Sequence, residues 1–251
     1  AGHGDAAETI ALLPKNVALM SVSEWSLPIE RGGIAGKVAE YSISAVGPGP
    51  RATRHWALAK EAGLETFAKM QLNNTWELSA VPYLPVLDLI AAHCERLAKV
   101  GVDGKMLSWT LGGYPSPNLR VAHEYAINPG ADRETVRLKI ATDRYGPAAA
   151  PHARRAWAEF SAALLEFPYH IGVLYRGPQQ LGPANLFYPE PTGYPATMVG
   201  FPYDHLDGWR GPYPANVLAE QFERVAGGWK KGLKHFQELV GRTPDERRGD
   251  A

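Results

Sequence analysis

Residues Glu65-Thr66-Phe67-Ala68-Lys69-Met70-Gln71-Leu72 make a short, apolar-rich run that breaks at Asn73-Asn74-Thr75-Trp76-Glu77. A run of this length stopped by an Asn pair reads as a β-strand ending in a turn. Upstream, residues 51–61 read as a helix stopped by Ala62-Gly63. Downstream, residues 86–100 carry Leu87, Ile90, Ala91, Cys94, Leu97 and Ala98 at helical spacing, the mark of an amphipathic helix. Helix, strand and helix in close succession predict a βα repeat with parallel strands.

The same texture extends to both sides. Val17-Ala18-Leu19-Met20-Ser21-Val22 reads as a buried strand ending at Ser23-Glu24-Trp25. Tyr41-Ser42-Ile43-Ser44 reads as a second strand, ending at Val46-Gly47-Pro48-Gly49-Pro50. Residues 105–110 read as a fourth, ending at Leu111-Gly112-Gly113-Tyr114-Pro115-Ser116-Pro117. The predicted fold class is α/β, a (β/α)-barrel-like or partial barrel, since the strands number about half of what a closed eight-stranded barrel requires.

The texture changes near Asn128-Pro129-Gly130, so residues 1–128 are expected to form the βα-repeat region and residues 129–251 a helical extension. Residues 132–145 and 151–166 read as helices, the second with Trp157, Phe160, Ala163, Leu164 and Phe167 on one face. Residues 214–239 read as a longer helix opened by Pro214 in its first turn. Between them, residues 168–213 are dense in proline and aromatic residues, which argues for a functional loop.

Composition removes whole classes of function. The 251 residues carry 26 Lys and Arg against 26 Asp and Glu, so no global field holds phosphates, and no local basic patch replaces it; nucleic acid is not an expected partner. The single cysteine, Cys94, excludes an internal disulfide and lies on the apolar side of a predicted helix, as an inert core thiol does. No stretch approaches the roughly eighteen consecutive apolar residues of a membrane span. Ala1 to Leu13 lacks the basic start and apolar stretch of a secretory signal, and cysteine poverty suits cytosol and periplasm equally. Phosphate-loop, dinucleotide and nucleophile-elbow motifs are absent, and no cofactor is expected.

In parallel sheets, chemistry collects after the carboxyl ends of strands, where strand ends and helix N-termini point together. The sequence places Glu24-Trp25, then Asn73, Asn74, Trp76 and Glu77, then Trp109 and Tyr114 at such ends. Tryptophans beside polar residues suit sugars, whose ring faces stack on aromatics while their hydroxyls take hydrogen bonds. Glu24 and Glu77 then form a candidate acid and base or nucleophile pair for glycoside hydrolysis. The plainer alternative stays open: a Glu after a strand also caps helices, an Asn pair also makes turns, and a single Trp also fills a core. Residues 201–213 add Asp204, Asp207, Trp209 and Arg210 as candidate substrate contacts, with an Asp207–Arg210 pair across a turn as the structural alternative. Asp204, His205 and Asp207 lack a second histidine at metal-binding spacing, so no metal site is expected there, and the remaining histidines are expected at surfaces or interfaces.

The runs SVSEW, QLNNTWE and LSWTLGGYPSPN, followed by DRYGPAAAPHARRAWAEFSAALLEFP, resemble the C-terminal part of large bacterial glycoside-hydrolase-like proteins, in which a catalytic (β/α)-barrel precedes a helical region. The resemblance covers residues 17–239 and implies a polysaccharide or oligosaccharide substrate and two acidic catalytic residues. A non-catalytic carbohydrate-binding protein or an incomplete barrel fragment is the alternative. The few strands leave sheet edges to be covered by the second half of the chain, by a second copy in a homodimer, or by a partner chain.

Overall fold

The computed structural model describes residues 6–73, 75–78, 81–108, 115–179, 190, 192–195, 197 and 199–243. In chain order it contains α1 (Ala7–Ala11), β1 (Ala18–Val22), β2 (Pro28–Arg31), β3 (Ile34–Lys37), α2 (Pro50–Glu61), β4 (Glu65–Met70), α3 (Leu87–Val100) and β5 (Gly104–Leu107). Then follow α4 (Pro117–Ile127), α5 (Arg133–Tyr145), α6 (Ala150–Leu164), α7 (Ile171–Arg176), α8 (Leu206–Trp209) and α9 (Ala215–Val240). The class is mixed α/β. Its main sheet has the order β1-β4-β5, all parallel, with Ala18 opposite Glu65 and Phe67 opposite Gly104. Among the described residues this sheet stays open at β1 and β5.

Three of the four expected strands form and one does not. Tyr41-Ser42-Ile43-Ser44 takes no strand conformation, because the Ile43 and Ser44 amides donate to the Glu77 carboxylate instead of to a ladder. Between β1 and α2 the chain makes an antiparallel hairpin that the apolar pattern does not reveal, with Arg31 paired to Ile34 across Gly32-Gly33. Both glycines have positive φ, 55° and 75°, as a tight two-residue hairpin turn requires. Leu72 lies beyond the end of β4, and its amide donates to the Ser108 hydroxyl.

Helix ends follow local chemistry. Pro50 begins α2, and Gly101 in the left-handed region (φ 68°) closes α3. Ser116 caps α4 by accepting from the Leu119 amide, with Pro117 at the first position. The sequence reading assigns no element to residues 118–127, where most of that helix falls. Asp132 caps α5 through the Thr135 amide at 2.8 Å.

One hydrophobic core joins residues on both sides of Asn128: Met70, Leu72 and Ile90 share it with Tyr145, Trp157 and Phe160. On the helical side, Phe160 stacks on Trp229 at 4.4 Å and on Phe236 at 5.7 Å, which fixes α9 against α6. A side chain at Gly232 would run into the Phe160 ring, so the approach of the two helices depends on that glycine. No helix among the described residues is long and apolar enough to cross a membrane.

Candidate active site

The three parallel strands end side by side, and the residues that follow them gather a cluster of buried polar side chains. Ser23 and Glu24 follow β1, Gln71 and Asn73 follow β4, and Ser108 follows β5; each is at most 4% exposed. Ser108 holds a left-handed backbone (φ 67°), unusual for a residue with a side chain. In that conformation its hydroxyl reaches across to accept from the Leu72 and Asn73 amides at 3.0 and 3.3 Å, so β5 caps the end of β4.

Glu24 is fully buried. Its Oε1 accepts one long hydrogen bond, 3.3 Å, from the Gln71 amide, and its Oε2 has no partner among the described residues. His93 of α3 stands beside it, Nδ1 lying 3.7 Å from Oε1, while His93 Nε2 meets the Ser23 hydroxyl at 2.7 Å. Burial pushes the imidazole down to about 3, with Arg96 nearby adding to the effect, so His93 is neutral and contributes no cation. Burial raises the Glu24 carboxyl well above the usual carboxylate range; the backbone amides oppose it, and the nearby Glu77 charge raises it further. Lys69, 8% exposed, acts in the opposite direction, but its ammonium is engaged with the Tyr41 hydroxyl at 2.7 Å and lies 4.5 Å from the Tyr41 ring centroid. A carboxyl so placed holds its proton to higher pH than an ordinary carboxylate does.

Glu77 is equally buried but differently served. Its Oε1 accepts from the Ser42 hydroxyl at 2.5 Å, from the Ser44 hydroxyl, and from the Ser44 amide at 3.2 Å; its Oε2 accepts from the Ile43 amide at 2.8 Å. Burial raises its pKa above the ordinary carboxylate value, although those serine and amide donors oppose the rise. Arg31 lies close enough for the Glu77 charge to favour its guanidinium, and it donates to the Ser44 carbonyl at 2.9 Å. Glu77 is thus the hub around which residues 42–44 fold.

The remaining candidates divide. Asn73 is buried as a structural link: its side-chain oxygen accepts from the Ser116 hydroxyl and its carbonyl from the Leu84 amide at 2.6 Å. Trp25 carries the Arg51 guanidinium 4.7 Å above its ring and lines a cleft of about 190 Å³ with Met20, Ser21 and His55, on the β1 edge of the sheet. Trp76 packs against the core and pairs with Tyr175 at 6.2 Å. Trp76 does not line that cleft. Asn74, Trp109 and Tyr114 lie outside the described residues.

The polar cluster of residues 201–213 folds on itself. Asp207 accepts from Arg210 Nε at 2.7 Å, and Arg210 Nη1 also donates to the Tyr213 carbonyl at 2.6 Å. Asp204 accepts from the Thr192 amide and from its hydroxyl, the latter at 2.8 Å. Trp209 is 9% exposed, with its indole N–H given to the Tyr203 carbonyl at 2.9 Å. For Asp207 and Arg210 the structure takes the turn-pair alternative, and all four residues are engaged within this segment and its neighbour.

Comparison of the chain with family models, with curated proteins and with solved structures finds no match. Its site therefore has to be read from its own geometry. On that geometry, sequence reasoning missed Ser23 and His93. The signal for His93 was present: it lies three residues after Ile90 and four before Leu97, on the buried face of α3. Cys94 behaves as expected, a buried thiol pushed up to about 12 by desolvation.

Proposed function

We propose that the protein is a glycoside hydrolase acting on a polysaccharide or oligosaccharide, with Glu24 as the proton-donating acid. The observation that carries this reading is the Glu24 carboxyl itself: buried at the carboxyl end of a parallel sheet, its pKa raised by that burial, and with one oxygen unpartnered among the described residues. Glu77 is the donor-saturated member of the pair. Its oxygens are occupied by serine and backbone donors, so it acts through its charge, which raises Glu24, rather than by attack on a sugar carbon. Trp25 and Trp76 are the described aromatic platforms for sugar rings. In the same reading the open β1-β4-β5 sheet is part of a (β/α)-barrel. Support comes from Met20 and Leu107, 51% and 38% exposed on the two edge strands, where strands of a partner chain or a second copy would pair.

The full burial of both carboxylates favours a second reading, a carbohydrate-binding protein or barrel fragment without hydrolysis. Hydrolysis of a panel of aryl glycosides and polysaccharides by the wild type, Glu24→Gln and Glu77→Gln separates the two. The first reading expects activity on at least one substrate, and a loss of about 10²–10⁴ in kcat/KM for Glu24→Gln, the range of a general acid. Glu24→Gln at the wild-type rate overturns it. Binding of the same sugars without turnover supports the second.

A further inference from the structure

Helices α6 and α9 pack along much of their length. Near the end of that interface His152 of α6 meets His235 and Glu238 of α9, with one ligand atom from each lying within 4.8 Å of the others. His235 and Glu238 are three residues apart on one helix and so share a face, while His152 approaches from the opposite helix. The cluster uses none of the groups at the end of the sheet.

Two features exceed what a helix-to-helix ion pair needs. First, His235 Nδ1 is buried without a hydrogen-bond partner among the described residues, although Glu238 Oε2 lies 3.8 Å from it. A buried ring nitrogen left without a partner costs free energy unless something fills the gap. Second, His152 Nδ1 faces two incompatible neighbours, Glu238 Oε2 at 2.7 Å and Arg155 Nη2 at 3.1 Å. The carboxylate requires Nδ1 to carry a proton and the guanidinium requires it to present a lone pair; one nitrogen cannot do both. A metal cation between the rings and the carboxylate takes the lone pair of each Nδ1, with each ring's proton on Nε2, and so gives His152, His235 and Glu238 one common partner; the exposed Arg155 guanidinium then turns to water. Zinc bonds of about 2.0–2.1 Å in tetrahedral geometry set ligand atoms roughly 3.3 Å apart. The two Nδ1 to Glu238 distances, 2.7 and 3.8 Å, straddle that spacing, so small side-chain rotations close the site.

We infer that His152, His235 and Glu238 form a binding site for a divalent transition metal of the zinc type, with water in the fourth position, that staples the end of α9 to α6. Nitrogen and carboxylate ligands select zinc, cobalt or a similar ion over calcium or magnesium, which take oxygen. The pattern is invisible to sequence scanning because the first histidine lies far from the other two residues along the chain.

The test uses the full chain after chelation, titrated with zinc by calorimetry and with cobalt by visible absorption. The expected result is one equivalent bound, the intense visible bands of tetrahedral cobalt, and a thermal midpoint that rises with zinc concentration. His235→Ala and Glu238→Gln should each weaken binding by at least about tenfold, as loss of a ligand requires. Glu238 is half-exposed, so Glu238→Gln keeps the fold testable; circular dichroism of both metal-free variants should match the wild type. Absence of stoichiometric binding, or wild-type affinity in Glu238→Gln, overturns the assignment.

Discussion

Glu24 and Glu77 are the same residue type, both without exposure, both after adjacent parallel strands, and yet they are opposites. Glu77 has two hydroxyls and two amides directed at its oxygens, whereas Glu24 is served only by backbone amides, the Gln71 one at 3.3 Å, and has one oxygen unpartnered among the described residues, beside a neutral imidazole. Burial alone therefore does not mark a reactive carboxyl; the number of donors decides. A saturated carboxylate organises a loop, and one with few donors has its pKa raised by burial.

The largest effect that tests this contrast is on stability. Glu77→Ala leaves the Ser42 and Ser44 hydroxyls and the Ile43 and Ser44 amides buried without their acceptor, and should cost roughly 3–5 kcal/mol in urea denaturation, the scale for breaking one side of a buried charged network. Glu24→Gln should cost far less or stabilise, because it removes a carboxyl that the fold barely solvates. Equal losses in the two variants would break the comparison.

Acid titration of stability comes next in size. Native His93 is neutral down to about pH 3, while in the unfolded chain it takes a proton near 6.5, so the unfolded state binds more protons between those values. Stability should fall as pH drops through that window, and His93→Gln should flatten the decline. Glu24 has the opposite sign. Its native pKa lies above the unfolded value, so stability falls as pH rises from the ordinary carboxylate range through the raised pKa, and Glu24→Gln removes that slope. Urea midpoints measured across pH for the wild type and both variants check both signs.

Smaller effects sharpen the boundary of the site. Ser108→Ala removes the acceptor of two buried amides while keeping the strained backbone, and should cost about 1–3 kcal/mol by thermal denaturation. Arg210→Ala should cost no more than about 1–2 kcal/mol: its pair with Asp207, whose side chain is 78% exposed, contributes little, which leaves the single hydrogen bond to the Tyr213 carbonyl as the main loss. A large loss there would mean that residues 201–213 do more than close a turn.

What the sequence revealed follows periodicity. Helix α3 and helix α9 are legible because their apolar residues repeat at helical spacing, and β4 because a compact apolar run ends in Asn73. The hairpin of β2 and β3 was hidden because it lies on the surface with little apolar alternation, its only signal being Gly32-Gly33. Residues 41–44 look like a strand by composition, but their amides have a better acceptor in a carboxylate more than thirty residues away, and no local rule could find it. For the site, Glu24 and Glu77 were legible as strand-end carboxylates. Their division of labour was not, because it depends on which distant groups reach each oxygen: residues 42–44 for one, Gln71 and His93 for the other.

The most direct test is a carboxyl titration by carbon NMR of glutamate-labelled protein, with Glu24→Gln and Glu77→Gln supplying the assignments. One glutamate resonance should titrate well above the ordinary carboxylate range and vanish in Glu24→Gln but persist in Glu77→Gln where that variant remains folded. If the Glu24 resonance titrates in the ordinary range, the carboxyl is not held protonated, and the assignment of Glu24 as the acid is contradicted.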